Sequence, residues 1–505
     1  MKNIFYLIVL LLFMPAFGHE FIQYVDGMVA GEQFGSAMCT IDFNDDGYTD
    51  LVISAPASDE GGISSGKVYI YYGGNTLDYV PDLQIIGPAG SFFGKSVSSA
   101  GDFNADGITD LMVGAPYYDT PSPNTGAVFI YYGADGPDTI ADLIIYGEAA
   151  GDYFGINLVS VGDFNNDTYD DIAVGAYKAD WGGFTDAGKV YVYYGGTSAD
   201  NSADRILVGD GDGERFGFAL TAGDYDNSGS ADVTVGAYSF DNDYLNQGRI
   251  YIFNGGSMPD TIYDLAFTGA QAGDKFGWSL STGYINDDEY ADVIMGSDGY
   301  SVGNYETGKM YLFFGGAIMD NTVDYEYSLN RSADDYLGFA VVSGVDPDND
   351  GDDDILIGMP GNDDGAEDAG GAVLISGGNY LWADTLFYGG SSLEQMGKSI
   401  GFWKNADDSD VTRLILGASS YENYLGRIYI YRYVSSGAPD CGDANGDGVV
   451  NVFDVTFIIS FLYLDGQQPE PLEIADVNNS GAVNIFDITH LISFLYLGGS
   501  APECP

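Results

Sequence analysis

Five stretches of the chain repeat one nine-residue pattern of oxygen-bearing side chains, D-x-[ND]-x-[DS]-[GT]-x-x-D. They are Asp42, Asn44, Asp46 and Asp50; Asp102, Asn104, Asp106 and Asp110; Asp163, Asn165, Asp167 and Asp171; Asp224, Asp226, Ser228 and Asp232; and Asp346, Asp348, Asp350 and Asp354. Oxygens at positions 1, 3 and 5 with a carboxylate at 9 can converge on one hard cation, and the position-7 carbonyl can add a further ligand, which is calcium chemistry. Asp, Asn and Gly also make good turns by themselves, but five recurrences of the full spacing favour a metal. Two later stretches hold D-x-N-x-[DS]-G-x-x-N-x-x-D before an apolar run. Their ligands are Asp443, Asn445, Asp447, Asn451 and Asp454, then Asp476, Asn478, Ser480, Asn484 and Asp487, with the carbonyls of Val449 and Ala482 at position 7. The expectation is five calcium ions in the first region and two in the second.

Composition narrows the rest. With 76 acidic against 16 basic residues the formal charge is −60, which argues against nucleic acid or an anionic membrane, since phosphate binding needs Lys and Arg stripes. Seven calcium ions would leave about −46, so the loops do not account for the whole acidity, and part of it suits solubility or high salt. His19 and His490 are the only histidines, so no histidine triad or zinc cluster can be assembled in the repeat region, and no catalytic residue is assigned. Paired carboxylates for glycoside chemistry can be drawn almost anywhere in so acidic a chain, which makes any one pair uninformative. Gly62 to Gly66 fits G-x-S-x-G by letters alone, without the strand, turn and helix that motif needs.

The acidic nonapeptides sit inside a larger repeat. Phe-Gly recurs at Phe34, Phe93, Phe154, Phe216 and Phe276, then as Leu337 and Met396, giving seven units 59 to 62 residues apart. Each reads as four short strands separated by turn residues. In the second unit, small residues after Gly94 form the first strand, the acidic loop follows, and Leu111 to Ala115, Ala127 to Gly133 and Leu143 to Gly147 complete the set. Small residues suit the crowded axis of a radial array. The seventh unit lacks its fourth strand, while Glu20 to Asp26 stands before the first unit where an outer strand belongs, so that segment is expected to close the ring. The acidic loops run directly into apolar strands such as LVISA, so they are hairpin sites. Tyr284 replaces the first Asp of the fifth unit and the seventh is out of register, so neither is assigned a metal.

At the N-terminus, Lys2, the apolar run Ile4 to Met14 and the small residues Ala16 and Gly18 have the pattern of a secretory signal over residues 1–18. No later apolar run reaches the roughly 20 residues that span a bilayer. Cys441 and Cys504 flank the last module and are expected to form a disulfide in an oxidising compartment, leaving Cys39 over.

Phe-Gly together with Gly-Ala-Pro (Gly114 to Pro116, with variants at Ser54, Gly175, Gly236 and Gly358) resembles the FG-GAP repeats of the integrin α-subunit propeller. The resemblance covers 20–433 and implies an all-β, seven-bladed propeller, placed at 19–434. After a linker at 435–439, residues 440–505 resemble a type I dockerin, which implies a small all-α module of paired calcium loop-helix motifs. A dockerin would tether the chain to a cohesin on a scaffold or cell surface. The residues before each helix carry that contact in the family, here Val452 and Phe453 or Ile485 and Phe486; the alternative is that the two Phe residues are core.

Strand alternation puts the calcium loops on one propeller face and the loops after Gly-Ala-Pro and before Phe-Gly on the other. Tyr117, Tyr118, Tyr177, Trp181, Tyr238, Tyr300, Tyr305 and Tyr421 fall in that second set, where rings can stack on sugars, anchor a protein partner, or merely pack their own loops. The expected function is a secreted, non-catalytic binding or adhesion protein with a glycan or protein ligand. A polysaccharide hydrolase or lyase with its site on the propeller is the alternative, and a structural spacer a third.

Overall fold

The computed structural model describes residues 19–433, apart from positions 135, 287, 304, 330–333, 349, 379–380, 408 and 410, and then 452–463, 475–478 and 483–497. The expected signal segment, the linker, Cys441, Cys504 and the first acidic loop of the last module lie outside the described residues.

Seven four-stranded antiparallel sheets form the first region, one per sequence unit. Blade two is typical, with Ser96–Gly101, Asp110–Ala115, Ala127–Tyr131 and Leu143–Tyr146 in that order. Its second and third strands are buried along their whole length, which is why they read as continuous apolar runs instead of alternating ones. The core lies between neighbouring sheets. Met112, Val128 and Ile130 of blade two pack with Ile172, Val174 and Tyr191 of blade three, and each such side chain stabilises the fold by about 1.5–3 kcal/mol. The ring closes as expected: His19–Asp26 is the outer strand of the last sheet, beside Arg427–Tyr433. Arg427 clamps it by bonding both carboxylate oxygens of Asp26 and lying 3.8 Å from the centre of the Tyr24 ring.

The two signature motifs are halves of one lock. The Gly94 N–H donates to the Gly114 carbonyl at 2.9 Å within blade two, and Gly155 repeats the bond to Gly175 in blade three. Phe93 then bridges back to Gly66 of blade one, Phe154 to Gly126, and Phe34 to Gly426 across the closure. Gly66 has φ +77° and its missing Cβ would stand against the Phe93 carbonyl, so only glycine fits. All seven residues at the Phe position, Leu337 and Met396 included, are buried.

Further along, helices Val452–Tyr463 and Ile485–Leu497 share a core of Val455, Ile458, Ile488 and Leu491 with Ala475 and Val477. Among the described residues no helix is long and apolar enough to cross a membrane.

Candidate calcium loops and ligand face

Each acidic loop links the first and second strands of its blade; its position-9 aspartate starts the second strand in four of them, and Asp354 immediately precedes it in the fifth. In blade two, Asp102 accepts the N–H groups of Asp106 and Gly107 at 2.9 Å each, curling the loop over the first carboxylate. Asp110 is fully buried and accepts the Gly133 N–H at 2.9 Å from the end of the third strand. The same contacts recur around Asp42 and Asp50, Asp163 and Asp171, and Asp224 and Asp232. The carboxylates of Asp224, Asp226 and Asp232 have oxygens within 4.8 Å of one another, as do those of Asp346, Asp348 and Asp350.

Such crowding away from water is costly for anions. Burial, reinforced by the neighbouring aspartates, pushes Asp50, Asp110, Asp171 and Asp232 up to about 7, and Asp354 up to about 9. One buried oxygen of Asp354 has no partner. An all-oxygen set with an orphaned buried carboxylate oxygen fits a calcium-sized dication.

The two loops without a ligand pattern show what the others share. In blade five, Asp292 still accepts the N–H groups of Ile285 and Gly315 at 2.8 and 2.9 Å. The position-9 carboxylate therefore latches the loop to the sheet whether or not the rest of the set is present. Blade seven replaces it by Arg413, which starts the second strand, is 6 % exposed, and pairs with Asp407. Here the chain supplies its own cation where the pattern for an ion is lost.

In the last module, Asp487 is buried at the start of the second helix, accepts the Asn484 N–H at 2.7 Å, and has one buried oxygen without a partner. Asp476 is also buried. Asn478 and Asn484 are described, whereas Asp443, Asn445, Asp447, Asn451 and Ser480 are not, and of Asp454 only the helical backbone is. Ile485 and Phe486 are exposed, Phe486 by 69 %; Val452 and Phe453 begin the first helix, with side chains outside the described residues.

On the opposite propeller face the rings join into an arc that runs from Phe92 to Tyr117 (4.8 Å between centroids), Tyr153 (5.1 Å) and Tyr177 (5.8 Å). It continues to Phe218 (5.7 Å), which touches both Tyr238 and Trp278, and ends on Phe339, 5.7 Å from Trp278. Of the residues expected on this face, Tyr117 and Tyr177 belong to the arc and are partly exposed. Tyr238 is buried beneath Phe218 and Trp278, and Tyr421 is buried under Arg427, so these two brace the surface. Tyr118 stacks on Tyr146, Tyr300 lies under Lys309, and Trp181 and Tyr305 are exposed away from the arc.

Sequence reasoning missed the arc members flanking Phe-Gly: Phe92, Tyr153, Phe218, Trp278 and Phe339. It also missed a buried acid two residues before the motif. Glu32, Glu214 and Glu394 each accept local N–H groups and the hydroxyl of Tyr69, Tyr251 or Tyr429. Stacking the seven units on Phe-Gly would have exposed both sets as columns.

Comparison with known proteins agrees with this geometry. The FG-GAP repeat model matches residues 34–71, 93–131 and 156–193, and the dockerin type I domain model matches 441–496. Integrin alpha-5 of Xenopus laevis is 31 % identical over 237 residues, 45 % of this chain and 22 % of that protein. Human integrin alpha-6 is 36 % identical over 154 residues, 30 % and 13 % respectively. Bovine phosphatidylinositol-glycan-specific phospholipase D is 29 % identical over 370 residues, 65 % of this chain and 43 % of that one. The matched stretch thus spans less than half the length of each of these relatives. Type I dockerin and FG-GAP domains are in general calcium-binding. The chain is a seven-bladed propeller of FG-GAP repeats, similar to that of integrin α-subunits, followed by a type I dockerin domain.

Proposed function

We propose that this is a secreted, calcium-binding, non-catalytic binding protein, in which the propeller's Phe-Gly face takes a glycan or protein ligand and the dockerin tethers the chain to a cohesin on a scaffold or cell surface. The observation that carries the ligand face is the aromatic arc, whose partly exposed rings span blades two to six. Ring-rich surfaces of this kind serve as binding anchors. The reading takes 1–18 as a signal peptide, 19–434 as the propeller, 435–439 as linker and 440–505 as the dockerin.

Calcium would be held by the five acidic loops of the propeller and the two of the dockerin, and would supply the charge that the crowded carboxylates lack. Paired loop-helix motifs would present Ile485 and Phe486, or Val452 and Phe453, to the cohesin, and a Cys441–Cys504 bridge would close the module. The test is a glycan array on the full chain in calcium, run with assays for new reducing ends and unsaturated uronates. Retention without release is expected; saccharide cleavage would replace this reading with a hydrolase or lyase.

A further inference from the structure

Resting on the ligand-face reading above, we propose that the axial mouth of that face binds an anionic glycan, whose sugar rings lie on the aromatic arc and whose carboxylate or sulfate groups are held by Lys95 and Lys398. The first strands of successive blades contact one another around the whole ring, so the residue following Phe-Gly, which leads into each first strand, stands at the mouth of the axis. Blades seven and two place Lys398 and Lys95 there, with Ser36 of blade one between them, whereas blades four, five and six place Phe218, Trp278 and Phe339. The mouth is therefore cationic on one side and aromatic on the other.

Charge pairing separates these cations from three lysines farther out. On the outer part of the same face Lys67 pairs with Glu60, Lys189 with Glu148, and Lys309 with Glu326, at 2.6 to 2.9 Å. Among the described residues Lys95 and Lys398 have no carboxylate partner, and neither do Lys178, over the Tyr153 ring, or Arg215, over Tyr238. Arg205, Arg249 and Lys404 also have no carboxylate partner among the described residues, but Arg205 and Arg249 are bonded to oxygens of Pro259 and Thr268, whereas Lys95 and Lys398 are close enough to repel one another. Two neighbouring cations without carboxylates, in a chain with 76 acids against 16 bases, offer a place for an external anion. Lys95 is exposed and Lys398 partly buried; the protein around them still holds both below the ordinary lysine range, and the charge of Lys95 lowers Lys398 further, which a bound anion relieves. A row of rings spanning five blades suits a polymer of repeated flat units better than a single peptide anchor. The chain's overall charge repels polyanions at long range, but that field is screened beyond about 10 Å at 0.1 M ionic strength.

The experiment measures binding of the full calcium-loaded chain, at that ionic strength, to four probes: a short oligogalacturonate, a sulfated galactan oligosaccharide, a neutral galacto-oligosaccharide and polyglutamate. The expected result is selective binding of one or both anionic saccharides. Lys95→Gln with Lys398→Gln should weaken it at least tenfold at an unchanged melting temperature, Lys95→Arg with Lys398→Arg should retain it, and Trp278→Ala should weaken it independently of charge. Preference for the sulfated or the carboxylated probe identifies the anion. Equal binding of the neutral saccharide, or no effect of the glutamine pair, overturns the anionic class while leaving a glycan-binding face. Polyglutamate bound in place of the saccharides overturns the glycan class. Binding of none of the four overturns both this inference and the choice of probes' face as a glycan site, leaving only a protein ligand for the broader reading.

Discussion

At the scale of single residues, the position-9 aspartates join the fold to the proposed calcium sites. Their ordinary value is 3.8 and burial raises Asp50, Asp110, Asp171, Asp232 and Asp292 to about 7. The calcium-free folded chain thus binds protons more tightly than the unfolded one. The stability they contribute is full below about pH 4 and is lost as pH rises through 7. Without calcium the melting temperature should fall between pH 5 and pH 8, and calcium should reverse the fall while releasing protons. A calcium-free melting temperature that rises over this range would contradict the assignment. Arg413 gives a second prediction: Arg413→Met strands Asp407 and should cost about 3 kcal/mol in a denaturant melt, with no compensation by calcium. The acidic pattern itself was legible, because ligand geometry needs alternate oxygens at fixed spacing. The role of Arg413 was not, because an arginine in a degraded loop carries no such spacing and shows its purpose only once it occupies the aspartate's place in the sheet.

At the scale of elements, the four-strand unit was readable from the alternation of small, acidic and apolar segments, and so was the closure by Glu20 to Asp26. What could not be read was how Phe-Gly and Gly-Ala-Pro act on one another. The Gly94 to Gly114 bond joins strands of one blade, while the Phe93 to Gly66 bridge joins two blades, and neither pairing is local in sequence. The aromatic arc escaped for the same reason, since Phe92 and Phe218 lie on opposite sides of Phe-Gly in different units. Gly126→Ala, at φ +85° with the Phe154 backbone against it, should destabilise by more than about 1 kcal/mol. Phe93→Ala, emptying a fully buried site, should cost about 3–5 kcal/mol. Both are checked by urea unfolding in saturating calcium.

At the scale of the whole molecule, the ring depends on a contact between its two ends. Deleting residues 19–26 removes the outer strand and the Asp26 partner of Arg427 and leaves an open edge that invites self-association. The truncated chain should sediment as larger species and lose its single cooperative melt. The proposed function rests at this scale on two binding ends in one chain, one for a ligand and one for a cohesin. The most direct test loads the full chain onto an immobilised type I cohesin in calcium and probes that surface with the saccharides retained by the free chain. Capture of intact saccharide is expected, with both chain and saccharide released by a chelator. Failure of the cohesin to hold the chain, or cleavage of the captured saccharide, would contradict it.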